Sequence, residues 1–100
     1  MMKWNLDAAA LDALAELVPQ HTHGSIIRYY QNGIPPGDFL TSLIDNDLKL
    51  AFATADDINK AAIGHILSWF RWHPPAGTWG YPGACSDYIA NLKETNDGTD

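Results

Sequence analysis

Five aspartates, Asp38, Asp45, Asp47, Asp56 and Asp57, stand within twenty residues whose only basic member is Lys49. Carboxylates at that density can transfer protons as a pair, ligate a metal, or meet a basic surface. Adjacent helical residues diverge by about 100° around the axis, so Asp56 and Asp57 do not converge as an acid–base pair. Helix capping accounts for most of the five without any reaction, because aspartate accepts from the free amides of a first turn. Docking on a basic partner is the functional alternative, and the same five residues are its candidate contacts.

The other chemistry-bearing residues form no constellation. His21 and His23 are spaced like half of a zinc site, but His65, His73 and Cys85 are scattered singles rather than a second pair. No metal site is expected; His21 and His23 read as polar loop residues beside a helix start, and His65 as a hydrogen-bonded core residue. Cys85, near the start of the last helix, lacks an identifiable base and reads as a small buried thiol. Gly33-Ile34-Pro35-Pro36-Gly37 is no phosphate cradle, since its prolines remove the amide donors such a loop needs. Nothing in the chain calls for a cofactor, and no enzyme is expected.

Aromatic residues are dense around Trp69, Phe70, Trp72, Trp79 and Tyr81. Bases are stacked by aromatics set in basic grooves, and the one fixed cation here is Arg71, so core packing is the expected role. Tyr29, Tyr30 and Tyr81 are the aromatic candidates for a partner contact, where tyrosine is enriched. Twelve Asp and Glu against six Lys and Arg give a net charge of −6, which repels phosphate over most of the surface and disfavours direct nucleic-acid binding.

These residues must be held by helices. A chain of 100 residues with 46% hydrophobic content can bury one core without staples. A single cysteine closes no internal disulfide, which favours a reducing cytosolic setting. The N-terminal segment has no signal-peptide run, and no apolar stretch reaches membrane-spanning length. Residues 1–94 are expected to form one helical domain, with 95–100 a flexible acidic tail.

Caps and periodicity divide the domain into five or six helices. The first starts after Asn5 and is closed by Pro19. The second runs from near Thr22 to Asn32-Gly33, where glycine can end a helix in the left-handed region. Pro35-Pro36 holds the chain extended until Gly37 or Asp38, after which Phe39, Leu40, Leu43 and Ile44 share a face. Asn46 or Asp47 caps a fourth helix carrying Leu48, Leu50, Ala51 and Phe52. Thr54 and Asp57 resemble a capping box, opening a long helix from about Ala55 to Trp72 that is apolar enough to lie at the centre of the core. Three prolines and three glycines exclude a helix or an interior strand over 73–83, where Trp79 and Tyr81 pin the loop. The last helix runs from about Ala84 to Lys93. No strand alternation survives, so the expected fold is all-α, with short helices packed around one long central helix.

The strings Gly33-Ile34-Pro35-Pro36-Gly37-Asp38-Phe39-Leu40, Asn46-Asp47-Leu48, Ala55-Asp56-Asp57-Ile58-Asn59 and Ala76-Gly77-Thr78-Trp79-Gly80 resemble a family of small phage and prophage proteins over about residues 23–92. That resemblance implies a mobile-element origin. Length, acidity and phage character together are also similar to the type I-F anti-CRISPR proteins, small inhibitors that bind the host's RNA-guided surveillance complex. This class has no common motif, so it assigns no residue a role. It implies an acidic inhibitor that docks in the host cytoplasm on basic, nucleic-acid-binding effector subunits and keeps out target DNA. The alternative is an accessory interaction module with a different host partner.

Overall fold

Asp7, not Asn5, starts the first helix: its carboxylate accepts from the Ala10 amide at 2.8 Å. Asn5 comes two residues too early, because the intervening Leu6 is buried before the first turn forms. The computed structural model describes residues 4–97, with side chains to Lys93. Helices α1 (Ala8–Leu17), α2 (Gln20–Asn32), α3 (Asp38–Ile44), α4 (Leu48–Thr54), α5 (Asp57–Trp72) and α6 (Ala84–Asp97) follow in order, with a 3₁₀ turn at Ala76–Thr78 before α6. That turn corrects the expectation of no helix over 73–83: three residues after Pro75 close it with one bond, from the Thr78 amide to the Pro75 carbonyl at 3.0 Å. The fold is all-helical among the described residues, and none of these helices is long and apolar enough to cross a membrane.

Pro19 ends α1 and also begins α2, because its extended backbone is compatible with an N-cap, so His21 and His23 lie within α2 and not in a loop before it. The α2 terminus lies at Gly33, where φ is 66° and the amide reaches Arg28 and Tyr29 carbonyls. A side chain there would be strained, and its Cβ would lie 3.1 Å from the Leu92 side chain.

Asp56 caps α5, accepting from the Asn59 amide at 2.7 Å. The expected Thr54 cap is not formed, because the Thr54 hydroxyl donates backwards to the Leu50 carbonyl of α4. At 16 residues α5 is the longest helix, but α6 has 14 and α2 has 13, and no helix is surrounded by the others. Its inner face carries Ile63, Ile66, Trp69 and Phe70, whereas Ile58 is 63% and Trp72 73% exposed. His65 faces solvent as well, correcting its assignment to the core. The last helix runs past Lys93 to Asp97, so residues 95–97 of the expected tail are helical, and the remainder of that tail lies outside the described residues.

The core is organised around aromatic rings whose polar ends are satisfied. Tyr29 and Tyr30 from α2, Trp69 from α5 and Tyr88 from α6 are each essentially inaccessible. Tyr30 meets Tyr88 at 5.3 Å and Trp4 at 4.9 Å between centroids, both edge to face, the arrangement the ring quadrupoles favour. Trp69 donates its indole N–H to the Ala10 carbonyl at 2.9 Å, joining α5 to α1. The 3₁₀ turn supplies Thr78, whose carbonyl accepts from the Tyr29 hydroxyl and whose side chain pairs with that of Tyr30, each at 3.1 Å. Tyr88 in turn donates to the Tyr30 carbonyl. Trp79 leans on Phe70 at 5.4 Å, and the Gly80 amide donates to the Ile44 carbonyl at 2.7 Å, so the loop is pinned as its aromatics suggested.

Candidate functional site: an acidic groove at the turn between α3 and α4

The turn after α3 is tightly folded. Asn46 has φ 62°, a conformation asparagine tolerates better than most residues, and the Asp47 amide returns to the Ser42 carbonyl at 2.8 Å. Asp47 then caps α4 through Oδ1, accepting from the Leu50 amide at 3.1 Å. Asp45 reaches across the fold: its Oδ1 accepts from the Cys85 amide at 2.8 Å, supplying one of the acceptors that the first turn of α6 needs. This contact holds the 82–83 corner opposite the turn. The result is an open groove of about 540 Å³ between Asp45, Asn46, Asp47 and Leu48 on one wall and Pro82 and Gly83 on the other.

Two carboxylates and one ammonium, Lys49, line the groove. Each aspartate spends Oδ1 on a helix amide, so its second oxygen is the group through which a cationic ligand would be held. Leu48, about half exposed, belongs to this wall, and Leu50 and Phe52 are further exposed apolar side chains of α4. Only Ala51 of α4 is buried. An apolar surface beside paired carboxylates suits the methylene stem and charged head of Lys or Arg.

The remaining predicted contacts fall elsewhere. Asp38 is exposed in the first turn of α3, at the opposite end of that helix from Asp45. Asp57 lies in the first turn of α5. Asp56 caps that helix and also meets His21 Nε2 at 2.9 Å. The Asn59 amide, followed by the His21 contact, holds the Asp56 carboxyl below its usual range. These acids therefore mark two helix starts, those of α3 and α5, and the structure brings only Asp45 and Asp47 together in the groove.

Tyr29 and Tyr30 are not surface contacts. The apolar spacing of α2 turns both rings inward, and burial pushes their phenols far above the ordinary tyrosine range. Tyr81, beside Pro82, is half-buried; its hydroxyl donates to Asp87 at 3.1 Å, and burial with that carboxylate raises its pKa. Cys85 is buried, and desolvation raises its thiol pKa, the opposite of an activated nucleophile.

Sequence reasoning missed the exposed α4 and α5 side chains. Leu48 and Leu50, two positions apart on a helix, cannot share one inward face, and that spacing was the available signal. Among the described residues no three His, Cys, Asp or Glu side chains converge as metal ligands. A second, smaller hollow of about 150 Å³ lies beside His21, Ser25 and Asn59, where Thr22 donates to Asn59 at 2.9 Å. The chain matches no known protein family, no curated protein and no solved structure.

Proposed function

We propose that this protein acts by binding, not catalysis, and that the groove between the α3–α4 turn and the 82–83 corner receives a Lys or Arg of a basic, nucleic-acid-binding protein surface. The observation that supports this is the pairing of Asp45 and Asp47 beside the exposed Leu48. The resemblance to type I-F anti-CRISPR proteins nominates the DNA channel of that surveillance complex as the surface, and exclusion of target DNA as the consequence.

The test uses purified effector, target DNA and this protein. Asp45→Asn and Asp47→Asn retain an acceptor for the helix amide while removing charge, so folding and contact are separable. The double Asn variant should bind the effector about tenfold more weakly, with reduced salt dependence, and should release target-DNA binding. A variant that still blocks DNA at wild-type concentration and salt response rules out the groove as the contact. Failure of the wild-type protein to bind the effector at all rules out that partner.

A further inference from the structure

The outer face of α5 carries a seam that the fold leaves uncovered. Ile58, Ala61, His65, Ser68 and Trp72 recur at alternating spacings of three and four, the spacing that keeps side chains along one line of contact with another helix. All five are exposed, and Ile58 and Trp72 are the two most exposed large hydrophobic residues described. Between them Ala61 and Ser68 are small, a Cβ added at Gly64 would meet nothing within 4 Å, and His65 is the one large side chain in the middle of the seam. Another helix can approach closely there.

Charge selects the occupant and its direction. With a net charge of −6, most of the surface repels a second copy of the chain. The outer face of α5 departs from that pattern, since exposed Lys60 and Arg71 stand against exposed Asp57. Asp57 lies at the start of the helix and Arg71 at its end. An antiparallel copy, related by a two-fold axis near Gly64 and His65, sets Asp57 against the second Arg71 and Ile58 against the second Trp72, each twice. It also sets Ala61 against Ser68. A parallel copy would instead oppose like charges and align the two helix dipoles unfavourably.

We infer that α5 is a self-association surface, on which two copies of this chain pack antiparallel through Ile58, Ala61, Gly64, Ser68 and Trp72. A 16-residue helix is about 24 Å long, so the contact belongs to the small class burying under about 1,200 Å². The dimer is therefore weak and concentration-dependent. None of its seam residues lines the acidic groove, so it stands or falls independently of the partner proposed above.

Sedimentation equilibrium of the full chain, from about 10 µM to about 1 mM, reads the association. Amide shifts followed over the same range locate it, and Ala61, Gly64 and Ser68 should move. Arg71→Asp creates two like-charge oppositions and should weaken the dimer by about tenfold or more, while Asp57→Arg combined with Arg71→Asp should restore it. Gly64→Leu is a second probe. The space above Gly64 is open and leucine is the better helix former, so the monomer should stay folded while the seam is blocked. A chain that remains monomeric at about 1 mM, shifts confined to other helices, or a charge swap that fails to rescue would overturn the inference.

Discussion

Thr78→Val is the most discriminating perturbation of the core. Thr78 is 1% exposed, and its hydroxyl donates to the Pro75 carbonyl at 2.7 Å. That uses its one hydrogen, so the 3.1 Å contact with Tyr30 must be donated by the tyrosine. Valine keeps the shape and removes the acceptor. The Pro75 carbonyl still receives the Thr78 amide at 3.0 Å, so losing the hydroxyl bond there costs only about 1 kcal/mol. Tyr30 fares worse, because its buried hydroxyl is stranded at a cost of about 1–3 kcal/mol. The total, about 2–4 kcal/mol, is a large fraction of the roughly 5–15 kcal/mol expected for a domain. Tyr30→Phe alone should cost about 1 kcal/mol, since Thr78 keeps its bond to Pro75. In the double variant nothing is stranded, so its cost should fall short of the sum by about 1–2 kcal/mol. Burial keeps the Tyr30 phenol protonated at any ordinary assay pH, so ionisation does not intrude. Urea unfolding followed by tryptophan fluorescence supplies the four stabilities, with unchanged slopes as the check on two-state behaviour. Strictly additive costs, or a Thr78→Val cost below about 0.5 kcal/mol, would refute the assigned hydrogen-bond directions.

Trp69→Ala should cost about 3–5 kcal/mol and Trp72→Ala within about 0.5 kcal/mol by the same unfolding assay; a Trp72→Ala cost as large as that of Trp69→Ala would contradict the outward facing of Trp72. Asp56 has a carboxyl pKa lowered first by the Asn59 amide and then by His21, so its contribution is present above the unfolded value near 4 and is lost as pH falls below it. Asp56→Asn keeps the cap, and its acid unfolding curve should therefore decline less steeply than wild type from about pH 4 downward, with parallel curves contradicting the linkage. The buried, high-pKa Cys85 thiol should react with a disulfide reagent only as fast as the chain opens, so its labelling rate should rise with urea in step with unfolding. Rapid labelling of the native protein would contradict that burial.

Helices were legible because caps and apolar spacing are local signals. The Gly33 stop, the Gly37–Asp38 start and the Asp47 cap all follow from residues within a turn of the boundary. Errors arose where neighbouring residues competed for one role. Asn5 and Asp7 are both good caps, as are Thr54 and Asp56, and the burial of Leu6 and the backward bond of Thr54 decided between them. Facing was harder to read. Tyr29 and Tyr30 have the composition of a contact surface, but the two acceptors of Thr78, 49 and 48 residues later, satisfy their hydroxyls when buried. The groove was half legible: the aspartates stand two residues apart in sequence, whereas the wall at Pro82 and Gly83 joins them through a bond from the Cys85 amide to Asp45 across 40 residues.

That bond also explains how one set of carboxylates can serve both folding and recognition. An N-cap needs a single acceptor oxygen, and asparagine supplies one nearly as well as aspartate. Binding a cation needs the charge, which the cap does not. In the binding mode proposed above, Asp47 would meet both demands on the surface, whereas Asp45 meets the first while half-buried and fixes the corner that closes the groove. Replacing Asp45 by alanine therefore removes a structural tie and a charge together, and a loss of binding in that variant would not distinguish them. The asparagine series does. Binding lost with stability retained assigns the charge to recognition, and binding retained in both asparagine variants leaves Asp45 and Asp47 as caps alone.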